Sequence, residues 1–148
     1  MRATAGVVDN FFDAYNAHDV NRMADCCTEA ATVHYTPVEM WGRQRAVRGH
    51  GHVQTIGKVF WTGLIESFPD LETRIDYMTE DDSGSVVAEV MFTGTQAKSW
   101  GNISMTGRRY ALPHLFWFDV DDTGLISRIT AYWDTADHCR QLGYNEVD

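Results

Sequence analysis

A histidine stands in the middle of a segment whose residues alternate in character. Along residues 110–118 the even positions are Tyr, Leu, His114, Phe116 and Phe, and this set is more apolar than the odd one. Because side chains alternate between the two faces of a β-strand, we expect His114 to point inward among aromatic rings. Burial lowers the pKa of an imidazole and a nearby carboxylate raises it, so such a ring can be a general acid or base. The alternative is a core histidine bonded to a tyrosine hydroxyl or a backbone carbonyl.

A second histidine lies in residues 31–36, which are β-branched and aromatic and precede Pro37. His34 and Thr36 share one face of this predicted strand, and this segment alone does not show which face is the inner one. The simplest chemistry is proton transfer next to a carbonyl group, without a cofactor, with His114 as acid or base and His34 as its partner. An enolate or water would then be held by Thr36, Tyr35 or Tyr15. A structural role for His34 and the two tyrosines is the alternative.

Aromatic residues are expected to line the pocket or to pack the core. The alternation in residues 125–133 turns Trp133 inward and leaves Asp134 outside or at a rim, and Trp61 is assigned the same kind of role. Glu89 is a further candidate base, although an exposed or interface carboxylate on the outer sheet face is the more ordinary interpretation.

His50 and His52 flank a glycine in residues 41–51, a segment with three glycines that is predicted to be a loop. No carboxylate or cysteine accompanies them, so we predict a helix-entry turn or lid and no metal site. Phosphate-binding glycine motifs and hydrolase motifs are absent from the sequence, and no cofactor is predicted.

These residues must be positioned by helices at the start of the chain and strands after them. Apolar spacing predicts helices over residues 3–18, from the cap Asp19 onward, over 52–68 and over 136–142. The predicted strands after the first are residues 71–80, 86–95, 103–119 and 125–134. This order indicates one α+β domain over residues 1–148, in which a curved antiparallel sheet closes around the helices and leaves a pocket at its open end.

Composition narrows the partners. The chain has 148 residues, of which 21 are acidic and 12 basic, and its net charge of −9 disfavours nucleic acid and anionic lipid. The sequence holds no apolar stretch of the length that spans a membrane. Three cysteines without a CxxC pair suggest reduced thiols in a cytoplasmic protein.

Several motifs resemble one family over nearly the whole chain. They are FFDAYNAHDV, TVHYTP, FPDLE, VMFTGT, GRRY and GLISRITAYWD followed by RQLGY. In this order and spacing they resemble SnoaL-like polyketide cyclases and the related ketosteroid isomerases. The resemblance implies the nuclear-transport-factor-two-like fold, a cone-shaped barrel of mixed sheet around N-terminal helices. It also implies a small-molecule pocket and, in many members, a homodimer.

The resemblance carries over only in part. His114 matches the pocket histidine of the cyclases, whereas Ala131 falls where they carry a catalytic aspartate. Thr36 and Phe11 replace the base and the oxyanion-hole tyrosine of the isomerases. Three hypotheses follow. The first is a cofactor-free cyclase, isomerase or dehydratase acting on an apolar carbonyl compound such as a polyketide intermediate. The second is a binding or dimerisation module without catalysis, which a pocket too small for a ring system would favour, and the third is an accessory hydroxylation protein.

Overall fold

The computed structural model describes residues 4–39, 49–100 and 103–143. The helices are α1 (Thr4–Asn16), α2 (Val20–Asp25), α3 (Thr36–Glu39), α4 (Lys58–Ser67) and α5 (Thr135–Gln141), and a π-helical turn spans Val53–Gly57. The strands are β1 (Cys27–Tyr35), β2 (His50–His52), β3 (Glu72–Glu80), β4 (Ser85–Thr95), β5 (Arg109–Val120) and β6 (Ile126–Trp133). The chain is therefore α+β, as predicted. Among these helices, none has both the length and the apolar character needed to cross a membrane.

The six strands form one curved, mixed sheet in the order β2-β1-β6-β5-β4-β3. Strands β1 and β6 are parallel, and every other described neighbouring pair is antiparallel. The outer strands β2 and β3 are not neighbours in the described part of the chain. The predicted cone is thus present as an open curved sheet, and the expectation that the sheet closes around the helices is wrong.

Helix α1 packs its apolar face on the inner face of this sheet. Phe11 and Phe12 follow the helical spacing seen in the sequence and are buried. The ring of Phe12 meets Phe116 edge to face at 5.2 Å, and the ring of Phe11 meets Phe118 at 5.6 Å. Edge-to-face contacts of this kind stabilise aromatic pairs beyond the area that they bury. The helix is thereby fixed over the strands that carry the candidate histidine.

Strand β5 alternates between buried even positions and exposed odd positions over most of its length. The prediction for its inner face is therefore confirmed. In β6 the predicted inward residues Ile129 and Ala131 are buried. A register irregularity at Asp119 and Val120 places Ile126, instead of Leu125, in the core.

Three predicted elements differ from the structure by more than the one or two residues seen at other boundaries. The strand predicted from residue 103 begins at Arg109, because the preceding loop turns back so that the amide of Thr106 donates to Gln96. Strand β1 begins earlier, at Cys27, and residues after it form α3. The helix predicted from residue 52 is split into a π-helical turn and α4.

The predicted loop over residues 41–51 lies mostly outside the described residues. Its last residues are described, and His50–His52 pairs with β1 as strand β2 instead of forming a helix-entry turn or lid. At Gly51 a Cβ atom would lie 2.5 Å from the side chain of Ile56, so the close approach of this strand to the π-helical turn requires glycine.

Candidate functional site

A narrow cavity lies between the inner face of the sheet and helices α1, α3, α4 and α5. Its walls are mainly aromatic, and among its described lining residues the imidazole side chains are those of His114 and His138. The empty volume is about 570 Å³ when open solvent at the mouth is included, whereas the cavity volume available to water is about 30 Å³. That space accommodates roughly two waters. A ring-sized ligand would therefore have to displace side chains of the wall.

His114 is 8% exposed and lies between aromatic rings. Its ring stacks on Phe92 at a centroid distance of 4.1 Å and on Trp133 at 4.9 Å. Nδ1 lies 3.1 Å from the carbonyl oxygen of Leu112. Because a carbonyl only accepts hydrogen bonds, the hydrogen of the neutral ring is on Nδ1, and Nε2 carries a lone pair. The contact with Leu112 thus engages Nδ1, as expected for a structural histidine, whereas Nε2 remains available for chemistry.

Burial lowers the pKa of His114 to about 3, and the nearby His138 acts in the same direction while the Leu112 carbonyl opposes it. The ring is therefore neutral at physiological pH. It accepts hydrogen bonds readily, but it gains a full proton only when a negative charge develops beside it.

His138 is the polar cavity residue that sequence reasoning missed. Helix α5 begins at the cap Asp134, whose carboxylate accepts from the amide of Asp137 at 3.0 Å. His138 is 6% exposed, and its ring lies 4.4 Å from that of Tyr110. Burial lowers its pKa to about 4, against the opposing charge of Asp137. Neither Nε2 of His138 nor Oγ1 of Thr135 has a hydrogen-bond partner among the described residues.

A signal for His138 was present in the sequence. The predicted final helix covered it, and positions 135, 138 and 142 share one face at helical spacing. Leu142 on that face identifies it as the buried one.

Four of the expected binding residues do line the cavity: Tyr15, Tyr35, Phe116 and Trp133. Trp61 does not line it, and its Nε1 instead donates to the hydroxyl oxygen of Tyr35 at 2.8 Å. Desolvation raises the pKa of Tyr35, and this hydrogen bond opposes the shift. Trp61 therefore fixes the hydroxyl of the cavity residue Tyr35 without itself lining the cavity.

The structure does not bring His34 or Thr36 to the cavity. Pairing of β1 with β6 sets Tyr35 beside the buried Ala131, so the alternation of the strand turns His34 to the outer face. There the ring of His34 lies 5.0 Å from that of His50. The expected partnership between His34 and His114 is thus not supported by the geometry.

Glu89 also lies on the outer face. It is exposed and pairs in register with the exposed Leu115 of β5. Its carboxylate therefore does not replace the aspartate that the resemblance led us to expect at Ala131. Within the described residues no group of three or more His, Cys, Asp or Glu side chains is arranged to hold a metal ion.

Fold and site together define a small α+β cone with an aromatic cavity and buried imidazoles. Residues 8–129 match the family model described as the SnoaL-like domain, and the chain belongs to that family. The search of curated proteins found no match.

Solved structures share this fold at low sequence identity. A candidate polyketide cyclase from Xanthomonas campestris is 22% identical with a TM-score of 0.78, covering 94% of this chain and 96% of its own. TsrD from Streptomyces laurentii is 22% identical with a TM-score of 0.76 and 97% coverage of both chains. AclR from Streptomyces galilaeus, described as a candidate hydroxylase, is 14% identical with a TM-score of 0.76 and 95% coverage of both chains.

Proposed function

We propose that this protein is a cofactor-free enzyme of the cyclase, isomerase or lyase type that transfers a proton next to the carbonyl group of an apolar compound, such as a polyketide intermediate. The observation that carries the proposal is the buried ring of His114, whose Nδ1 is engaged by Leu112 and whose Nε2 is left with a lone pair in the cavity. Membership in the SnoaL-like family and the cyclase-named structural neighbour support it.

In this mechanism Nε2 of His114 accepts a proton from the carbon next to the carbonyl group. The electron pair of the broken C–H bond forms the C=C bond of an enolate while the π pair of the C=O bond moves to the oxygen, and the negative charge of this enolate offsets the charge of the imidazolium that forms beside it. The imidazolium then returns its proton to the product. Tyr35 is a better candidate than Tyr15 to hold the enolate oxygen. Its hydroxyl oxygen already accepts a hydrogen bond from Trp61, which leaves its own O–H to donate.

The test measures exchange of the α-protons of 2-tetralone in deuterated water by proton NMR. We expect wild type to accelerate exchange and His114→Gln to lower the catalysed rate by about 10²-fold or more. His52→Gln removes an exposed histidine from β2 and is the matched control. Equal rates for wild type and His114→Gln, with acceleration present, would refute the role of His114.

A second candidate is a module that binds a small molecule without catalysis. It is favoured by the buried Ala131, which stands where the cyclases carry a catalytic aspartate, and by the small volume of the cavity. It predicts ligand binding with no acceleration of exchange. The accessory hydroxylation protein remains a narrower proposal, supported by the description of AclR as a candidate hydroxylase.

We further propose a homodimer formed through the outer face of the sheet. Four large apolar side chains are exposed there, with relative exposures of 58% for Tyr77, 44% for Leu115, 51% for Trp117 and 47% for Tyr132. Tyr132, Leu115, Glu89 and Tyr77 are opposite one another in successive strands and form one row. Exposed apolar patches of this kind mark interaction surfaces.

Light scattering after size-exclusion chromatography tests the dimer. We expect wild type to have twice the 16.8 kDa mass of the chain and Trp117→Asp to have the mass of one chain. Val59→Asp, at an apolar position that is 70% exposed on α4, is the matched control and should stay dimeric. A monomeric wild type would contradict the proposal.

A further inference from the structure

Beneath helix α5 the cavity wall holds two polar atoms that nothing in the described residues satisfies. They are Nε2 of His138 and Oγ1 of Thr135, and both residues line the cavity. Thr135 and His138 are three positions apart in α5, so they lie on the same face of the helix. A buried donor or acceptor without a partner lowers the stability of the folded state. Such a pair of atoms points to a group that arrives with a ligand.

The helix that carries these atoms is fixed in place. The side-chain amide of Gln141 donates to the carbonyl of Ala111 at 2.9 Å, and its oxygen accepts from the amide of Ala111 at 2.7 Å. The hydroxyl of Thr106 donates to the carbonyl of Leu142 at 2.8 Å. These bonds tie both α5 and the residue after it to neighbouring segments. The two residues that carry the unpartnered atoms are therefore held in position in the cavity wall.

We propose that His138 and Thr135 form a second oxygen-binding point, so that the cavity, once side chains of its wall are displaced, takes an apolar ring compound with oxygen functions at two positions. This inference rests on the function proposed for His114. It adds the requirement that the ligand carry a second oxygen, which His138 and Thr135 would bind. His138 and Thr135 were assigned no role by the sequence or by the family resemblance.

The chemistry of each end specifies its oxygen. Nε2 of His114 is an acceptor, so it takes the acidic C–H of a carbonyl substrate, and in an enol or a phenol it accepts from the hydroxyl that replaces the carbonyl oxygen. The hydroxyl of Thr135 both donates and accepts, and a neutral imidazole nitrogen does one or the other according to its tautomer. The second oxygen can accordingly be a hydroxyl or a carbonyl. Because the pKa of each histidine is lowered, both ends suit an uncharged ligand.

The experiment follows the imidazole nitrogens of protein labelled with ¹⁵N-histidine while resorcinol or phenol is added. Resorcinol is a single ring with two hydroxyls, and phenol is the matched probe with one. We expect resorcinol to shift the Nε2 resonances of both His114 and His138 and to bind about three- to tenfold more tightly than phenol. His138→Leu should abolish this preference, and Thr135→Val, which keeps the shape of the side chain, should reduce it.

The outcomes separate the two proposals. A shift at His114 alone, with equal affinities for the two probes, overturns the second oxygen-binding point and leaves the His114 site intact. No shift at either histidine overturns both binding ends. The exchange assay with 2-tetralone reports on His114 independently, so its failure does not imitate the loss of the second point. If His138→Leu does not fold, Thr135→Val decides by the same comparison.

Discussion

The junction between α1 and β3 and the cavity end beneath α5 use similar polar residues in opposite ways. At the junction, Nε2 of His18 lies 2.8 Å from the carbonyl oxygen of Leu71. The side chain of Asn16 makes three hydrogen bonds with Thr73, two to its amide and hydroxyl and one to its carbonyl. At the cavity end, Nε2 of His138 and Oγ1 of Thr135 have no partner among the described residues.

The difference distinguishes polar groups that build the fold from those that are held open within it. The bonds of Asn16 and His18 fasten the end of the first helix to the edge of the sheet. His18 even adopts φ +56°, a left-handed conformation that residues other than glycine rarely take. Its ring bond to Leu71 compensates for that conformation. Nε2 of His138 has no hydrogen bond to a described residue that would compensate for its burial. A bound ligand would supply that hydrogen bond.

The largest expected effect tests the structural side of this comparison. Asn16→Ala removes three hydrogen bonds and leaves polar groups of the buried Thr73 without partners. We expect the free energy of unfolding in urea to fall by about 2–3 kcal/mol while the affinity for resorcinol is unchanged. Asn10→Ala, at an exposed position of the same helix, is the control. A loss no larger than that of the control would contradict the assigned role of the junction.

A smaller effect of opposite sign is expected at the cavity. His138→Leu removes a buried nitrogen without a partner, so the free energy of unfolding at pH 7 should rise by about 1 kcal/mol. A decrease of that size would show that His138 is a structural residue. The same samples at lower pH provide a second readout.

The pH dependence has a defined sign. The folded-state pKa values of about 3 for His114 and about 4 for His138 lie below the ordinary 6.5, so below pH 6.5 the unfolded chain binds protons that the folded chain does not. Stability is therefore complete above pH 6.5 and is lost as the pH falls toward these values, by up to about 1.4 kcal/mol per pH unit for each ring. Among the described residues, Asp137, Tyr110 and His114 are the titratable groups that contact His138 or interact with it electrostatically. We expect His138→Leu to remove one of the two contributions, so a wild-type slope in this variant would refute the assignment.

The smallest effect concerns Thr135. Thr135→Val deletes one buried hydroxyl, and we expect a gain in unfolding free energy below about 1 kcal/mol together with about twofold weaker binding of resorcinol. Thr62→Val, on the exposed side of α4, is the control for threonine replacement within a helix. Unchanged resorcinol binding would contradict the second oxygen-binding point as a site formed by both residues.

Much of the fold was predictable because its signals are local. The two-residue alternation in β5 and β6 contrasts apolar with polar side chains, and it turned His114 and Trp133 correctly toward the interior. The helical spacing of Phe11, Phe12 and Tyr15 likewise identified the buried face of α1. Motif order indicated the SnoaL-like family, which the match over residues 8–129 confirmed.

By itself the sequence determined the class of the longer elements, the inner face of the strands with strong apolar contrast and the family. The tertiary structure alone decided which face of β1 is inner, because His34 and Tyr35 alternate without such a contrast and only pairing with β6 sets Tyr35 beside Ala131. It also decided that His138 reaches the cavity. The sequence pattern of a short helix indicates which face is buried but not which neighbouring segment packs against that face. That neighbour is set by the bonds of Gln141 to Ala111, which join residues 30 positions apart in the chain. Contacts between distant residues depend on how the elements pack, and no local pattern encodes them.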